Sequence, residues 1–350
     1  MVYLSGYPTY KVLNEILQDK REFVLYLDIR NNLAGLYYEE ALKSMLNESG
    51  VKNLLLNVLD YIEFIYRYSI NFNKLPHIVI FFDVGTSAYH KNILKTYKSN
   101  RIISSYKLLS LTEAETAYDN IRNALGMIHS IFAKLYNVHV IRLRNLESDF
   151  IPYLMISKKI FGSKIDKHII SSNDKDMLQN LEFENAVLLS AFSSKKQVYT
   201  SKNWLKKFKI TDKLNIDIRN FVYFLSIMGD KVDGIPGVRD VGIKSMVSIL
   251  EIVDNSSIDY QSPRVYLDSL KQYYDDLSRR LQNKLRLIEK NFDIFERNYK
   301  LISYKELINN LSRTQKENIK RDLDVEHLSF RDTVKEMAEM KRFLGDQSIY

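Results

Sequence analysis

Six acidic residues occupy positions where a cation site is readily assembled. Asp28 ends the apolar run FVLYLD (23–28), and Asp83 ends HIVIFFD (77–83). Glu147 and Asp149 lie just past NVHVIRL (137–143), while Asp174 closes KHIISSND (167–174) and Asp176 follows it. A single acid after a strand ordinarily caps the next helix. Four strands ending this way point to a shared role, because the carboxyl ends of parallel strands lie along one edge of a sheet. Carboxylates gathered there are unfavourable alone: two of them about 5 Å apart repel by roughly 3 kcal/mol at an effective dielectric of about 20. Bound cations make them tolerable. Oxygen donors without sulfur or imidazole select Mg²⁺ or Mn²⁺. Two such ions close together can activate a water and stabilise the leaving oxygen of a phosphodiester. Asp60, Asp119 and Asp166 lack this placement and read as surface or capping acids.

The elements that must carry these acids are visible in the pattern. The four runs are near-continuously apolar, as parallel strands buried on both faces are. AVLLSA (186–191) and KQVYT (196–200) add two more. Helices are expected from about 37 to 46 and from 51 to 68, the latter with Leu55, Leu59, Ile62 and Tyr66 three and four apart. The fold class is therefore α/β, with a mostly parallel central sheet flanked by helices. Strand signal fades from Asp217, and a helical region rich in Lys, Arg, Tyr and Leu follows. The chain thus divides into an α/β core over 1–215 and a helical region over 216–350, ending in a helix with a loose tail.

Composition narrows the chemistry. The 350 residues include no cysteine. That excludes disulfides, thiolate zinc sites and cysteine nucleophiles, and it fits a reducing compartment. Six scattered histidines leave any catalytic metal to the carboxylates. No apolar run approaches the roughly 18–20 residues that span a bilayer, and the first residues are too polar for a secretory signal. A cytoplasmic protein without membrane contact is expected. The net charge of +8, from 51 Lys and Arg against 43 acids, favours a polyanionic partner only weakly.

Residues 228–246 read MGDKVDGIPGVRDVGIKSM. Glycine-rich turns between short helices bring backbone N–H groups close to phosphates. Gly237 and Val238, with Gly242 through Ser245, have the form of a helix–hairpin–helix. Joined to the preceding GDKVDG, the segment resembles the 5′-nuclease superfamily: flap endonucleases, bacteriophage 5′-3′ exonucleases and RNase H, and the polymerase I 5′-nuclease domain. The resemblance covers about residues 23–250. It implies a PIN-like 5′-nuclease fold with a helical arch at about 84–125 and the hairpin element at about 228–250. It also implies two Mg (or Mn) ions held by Asp28, Asp83, Glu147, Asp149, Asp174, Asp176, Asp230 and Asp233. Here Glu147-Ser148-Asp149 corresponds to the family's E-A-D/E segment and Ser172 through Asp176 to its S-x-D-x-D segment. A K ion on the hairpin carbonyls is implied as well. Phe150, Asp240 and Met246 replace a usual aspartate, glycine and alanine, and Asp28 lacks the usual following glycine. None of these changes removes a metal ligand.

No acid lies between Asp83 and Glu113, whereas Lys91, Lys95, Lys98, Arg101 and Lys107 do, interleaved with Tyr89, Tyr97 and Tyr106. Basic groups neutralise phosphates, and aromatic rings offer faces to unpaired bases. Tyr97-Lys98-Ser99-Asn100-Arg101 resembles the family's Y-K-x-N-R signature in the arch. The resemblance casts Lys98 and Arg101 as catalytic groups at the scissile phosphate. It casts Tyr97 as stacking on a base and Gly237, Val238, Gly242, Lys244 and Ser245 as holding duplex backbone, while the basic pattern itself makes Lys91 and Lys95 substrate-binding candidates, a run that a solvated basic helix explains equally.

The implied function is a structure-specific 5′ nuclease of DNA replication or repair, a 5′-3′ exonuclease or flap endonuclease with RNase H-like primer removal, producing 5′-phosphates. Its partners would be branched, flapped or nicked duplex DNA and RNA–DNA hybrid, with a sliding clamp or single-strand-binding protein as protein partners and a monomer as the working state. A non-catalytic junction-binding protein on the same fold and a PIN-type endoribonuclease are the alternatives; residues 228–246 argue against the second. Trp204, beside Lys206, Lys207 and Lys209, reads as a half-buried helix with outward lysines. The stretch with Arg279, Arg280 and Arg286 suits a duplex grip and a solvated face equally.

Overall fold

The computed structural model of the chain describes residues 10–17, 22–29, 45–70, 75–99, 110–190, 197–210 and 214–345. Among them, six strands form one sheet in the order β3-β2-β1-β4-β5-β6. They are β1 (Phe23–Asp28), β2 (His77–Val84), β3 (Val138–Arg144), β4 (Lys167–Ser171), β5 (Ala186–Ser190) and β6 (Gln197–Tyr199). The first five run parallel, and β6 is antiparallel to β5. The register sets Asp28 beside Phe81, Leu27 beside Ser171 and Val84 beside Arg144, so the carboxyl ends of β1 to β4 share one rim.

The apolar runs are continuous because each face of the sheet has its own cover. Val24, Tyr26, Val79, Phe81, Ile170 and Leu188 face one apolar cluster. Their alternates, including Leu25, Leu27, Ile78, Ile80, Phe82 and Ile169, face the other, as the two-residue strand period requires. Helices α1 (Tyr10–Leu17), α2 (Glu48–Ile70), α3 (Ala88–Ile93), α4 (Leu111–Phe132) and α5 (Ile151–Ser157) alternate with the strands. Helix α2 is longer at both ends than its periodicity predicts. It packs with α4 over the second face, where Leu54, Leu55, Leu59, Ile62, Ala124 and Ile128 are buried. The helix expected at 37–46 lies mostly outside the described residues.

Beyond residue 216 the chain is helical apart from a two-residue hairpin ladder, β7 (Gly229–Asp230) with β8 (Ile235–Pro236). The helices are α6 (Asn220–Met228), α7 (Ile243–Leu250), α8 (Pro263–Lys271), α9 (Arg279–Lys290), α10 (Phe292–Ile302), α11 (Tyr304–Asn309), α12 (Arg313–Leu323) and α13 (Phe330–Gly345). Phe224, Tyr266, Phe295 and Ile319 from this region join the first-face cluster, so the helical region and the sheet share a core. Trp204 is buried and its indole N–H donates to Ile216 O, an internal role without a DNA-facing surface. Strand β3 is a sheet edge, and Arg142 N–H donates to Asp322 Oδ2 of α12 at 3.1 Å, which protects that edge. Helix α13 then packs on α2, with Lys341 between Asp60 and Glu63.

Candidate active site

The rim of the sheet is built by short hydrogen-bonded turns that aim acids inward. Asp28 is buried at the end of β1 and accepts a hydrogen bond from Ser172 Oγ at 2.7 Å. The same hydroxyl accepts from Asp174 N–H at 3.1 Å, and Asp174 Oδ1 accepts from Asp176 N–H at 3.0 Å, capping the 3₁₀ helix Lys175–Glu182. Thus one serine ties the Asp28 carboxylate of β1 to the backbone of Asp174 in the β4 turn. After β3 the chain is tied to β2 by Asn145 N–H donating to Val84 O and Ala88 N–H donating to Asn145 O. Gly85 has a φ of +89, a left-handed backbone conformation that favours glycine at this turn. The turn presents Glu147, Ser148 and Asp149, and Ser148 Oγ donates to Asp83 Oδ1 at 3.4 Å.

The hairpin brings two further acids from far along the chain. Gly229 has a φ of +71, and a Cβ on Gly237 would sit 1.9 Å from Met228 O. Both glycines are needed so that β7 and β8 can meet. Asp230 Oδ1 accepts from Val232 N–H at 3.0 Å, and Asp233 O accepts from Lys98 N–H at 2.9 Å. Both side chains are buried. Oxygen atoms of Asp176, Asp230 and Asp233 all lie within 4.8 Å of one another.

Burial and mutual repulsion raise the carboxyl of Asp149 well above the usual carboxylate range, with Asp174, Asp28 and Glu147 as its acidic neighbours. Burial followed by Asp174, Asp233 and Asp230 does the same to Asp176. Burial would raise Glu147 too, but Lys98, His90 and hydrogen bonds hold it below its ordinary value. The Lys98 ammonium lies 2.5 Å from Glu147 Oε1 and 3.7 Å from Asp233 Oδ2. Asp176 Oδ1 is buried without a hydrogen-bond partner. An orphaned acceptor beside two more carboxylates, with no sulfur or imidazole in the set, fits a hard divalent cation.

The arm and the hairpin are placed differently from some expectations. Lys91 and Lys95 are exposed, one on α3 and one just past it. Lys98 adopts a φ of 55, and the turn over residues 94–98 reverses the chain. That reversal folds Tyr97 inward. Its ring stacks on His90 at 4.6 Å and its hydroxyl points at Asp233 at 3.4 Å, so Tyr97 supports the acid cluster and offers no open face to a base. His90 is itself buried between Ser87 Oγ and Leu301 O. Arg101 lies outside the described residues. In the hairpin, Val238 is core: its side chain is buried and its N–H donates to Ile227 O at 2.7 Å. Gly237 serves the ladder through its missing Cβ. The Ser245 N–H already donates to Gly242 O, whereas Gly242 and Lys244 are exposed at the start of α7.

Three contributors escaped the sequence. Lys175 reaches Asp230 Oδ2 at 2.9 Å. Lys207 donates to Asn173 O at 3.1 Å, beside the Asp174 turn. Tyr304 from the helical region is buried against the cluster, and burial together with Asp149, Asp176, Asp174 and Asp28 keeps its hydroxyl protonated. Lys175 lay inside a recognised segment, and its sign among acids was the one signal available; the other two depend on contacts that spacing does not encode.

A model of the 5′-3′ exonuclease N-terminal, resolvase-like domain matches residues 24–209. A 5′-3′ exonuclease of Buchnera aphidicola subsp. Schizaphis graminum is 29% identical over 209 residues, which are 60% of this chain and 63% of that protein. The 5′-3′ exonuclease of Buchnera aphidicola subsp. Acyrthosiphon pisum is 28% identical over 239 residues, 67% of this chain and 72% of that protein. The chain therefore spans just under two thirds of the first of these relatives. Among solved structures, the flap endonuclease of bacteriophage T5, crystallised with DNA and metal ions, superposes with a TM-score of 0.60 at 16% identity, covering 91% of this chain and all of that one. This last likeness concerns the fold.

Proposed function

The chain belongs to the family of the 5′-3′ exonuclease N-terminal, resolvase-like domain, and on that premise we propose that it is a structure-specific 5′ nuclease that hydrolyses phosphodiesters at flaps, nicks and RNA–DNA junctions. The observation that carries this reading is the meeting of Asp28, Asp149, Asp174, Asp176, Asp230 and Asp233, drawn from the ends of strands and a distant hairpin, in one cluster of buried and half-buried acids. Asp28, Asp149 and Asp174, with Glu147 and Asp83 beside them, would hold one Mg²⁺ or Mn²⁺ ion, and Asp176, Asp230 and Asp233 a second. When bound, such ions supply an activated water and neutralise charge at the leaving oxygen.

The chain's own groups do the rest. Ser172 fixes Asp28 and Asp174 relative to each other. Lys98, within reach of Glu147 and Asp233, supplies positive charge to the phosphoryl oxygens as charge develops on them. The exposed start of α7, with Lys244, receives duplex backbone, and the basic residues Lys91 and Lys95 draw in the 5′ strand. Phosphate contacts of this kind position a substrate without reading its sequence, so selectivity is for structure. The products are a 5′-phosphate and a 3′-hydroxyl. A K ion at the hairpin and monomeric action belong to the same reading, which leans on the family for both.

Cleavage of end-labelled flapped, nicked and RNA-primed duplexes, with and without Mg²⁺, tests it. Mg²⁺-dependent release of 5′-phosphorylated fragments at the junction is expected. Tight binding without cleavage would support the non-catalytic junction binder instead. Cutting of unpaired RNA without preference for a junction would support a PIN-type endoribonuclease.

A further inference from the structure

The triad Asp176, Asp230 and Asp233 already carries positive charge from the chain. Lys175 lies between Asp174 and Asp176, and the 3₁₀ turn that Asp174 caps lets its side chain fold back over the cluster. Its ammonium sits 2.9 Å from Asp230 Oδ2; the lysine side chain is 29% exposed and the aspartate 6%. On the other flank, Lys98 reaches Asp233. Asp176 Oδ1, in the same triad, is buried and without a hydrogen-bond partner.

We propose that Lys175 is a resident counter-cation of the triad, held on Asp230 until a divalent ion displaces it, so that it sets how tightly that ion binds. The inference rests on reading the triad as a cation site. Three carboxylates with oxygens within 4.8 Å of one another repel unless something positive lies among them. An ammonium at hydrogen-bonding distance supplies that charge without a metal. A divalent ion on Asp230 needs the same oxygen lone pairs, so ammonium and metal compete. The free energy holding Lys175 in place is subtracted from the metal's binding, as for any ligand whose competent state is only part of the population. Lys175 thus acts through Asp230 as a positioning residue: it keeps the metal-free cluster assembled and weakens cation uptake.

Two readouts without nucleic acid test this on the full chain. Isothermal titration with Mn²⁺ compares wild type, Lys175→Met and Lys175→Arg, and thermal unfolding is followed with and without Mn²⁺. Lys175→Met should bind Mn²⁺ about tenfold tighter at the triad. It should unfold at a lower temperature than wild type without cation, because it leaves buried carboxylates uncompensated, and gain more on adding Mn²⁺. Lys175→Arg keeps the charge and should resemble wild type. A merely structural lysine would lower stability in both conditions without tightening the metal. Equal or weaker Mn²⁺ affinity in Lys175→Met overturns the proposal. If that variant is unfolded without cation, its Kd is obtained from the Mn²⁺-induced refolding midpoint corrected for the folding equilibrium measured by denaturant titration, and a corrected Kd at or above the wild-type value overturns the proposal equally. Flap cleavage by wild type, measured in parallel, separates the two ideas: unchanged affinity with intact cleavage defeats only the role of Lys175, and tightened affinity without cleavage defeats only the nuclease reading.

Discussion

At the residue scale, the acids are unequal in what surrounds them, and their substitutions should differ accordingly. Asp174 is both a cluster carboxylate and the cap of its own 3₁₀ turn, so Asp174→Ala loses a helix cap as well as a carboxylate of the cluster. Asp176→Asn is cleaner, because Asp176 Oδ1 makes no hydrogen bond and the amide keeps the side chain's shape. Asp176→Asn should lower the cleavage rate by about 10³-fold while changing DNA affinity little, as measured by single-turnover kinetics and by binding in Ca²⁺. Wild-type rates in that variant would remove Asp176 from the mechanism. Lys98 differs again. Its ammonium compensates Glu147 and Asp233 before any substrate arrives, so Lys98→Ala should slow cleavage by about 10²-fold and weaken binding far less. Equal losses in rate and affinity would make it a plain phosphate contact.

At the scale of elements, strands and hairpin supply the geometry and helices hold it. Strands β1 and β2 were legible because an uninterrupted apolar run ending in aspartate has few other readings. The hairpin was legible from Gly229, Gly234, Gly237 and Gly242. The inward turn of Tyr97 was not, because it depends on His90, which in turn is held by Leu301 O from more than 200 residues away. Nor was burial of Val238, whose N–H is spent on Ile227 O within the hairpin packing. With Val238, Gly237 and the Ser245 N–H engaged internally, the proposed duplex contact at this element falls to the exposed Lys244. Lys244→Ala should therefore weaken affinity for duplex flanks uniformly across sequences and reduce the slope of log affinity against log salt by about one. An unchanged slope would place the duplex elsewhere.

At the scale of the whole molecule, the last helices close the structure at the end opposite the acids. Strand β3 is an edge, and the chain returns along it through α12 before α13 packs on α2. Three of the six histidines, scattered in sequence, meet there: His77 Nδ1 lies 3.1 Å from His139 Nε2, and the His139 and His327 rings are 4.8 Å apart. Burial and mutual repulsion hold His77 down at about 4 and His139 at about 3. These groups are neutral in the fold but protonate near 6.5 once unfolded, so the unfolded chain binds more protons in between. Their contribution to stability is full above about pH 6.5 and is lost as pH falls through about 4 for His77 and about 3 for His139. The unfolding temperature should drop across that window, and His139→Gln should shrink the drop. A slope unaltered by His139→Gln would assign the acid sensitivity to other groups. Sequence could not reveal this meeting, because β2, β3 and the segment before α13 become neighbours only through sheet order and the C-terminal return.

The carboxylate rim itself is open to direct observation by anomalous diffraction from crystals soaked in Mn²⁺. Peaks among Asp28, Asp149 and Asp174, and among Asp176, Asp230 and Asp233, are the predicted result. An empty rim at saturating Mn²⁺, or ions bound only at unrelated surface acids, would contradict the account.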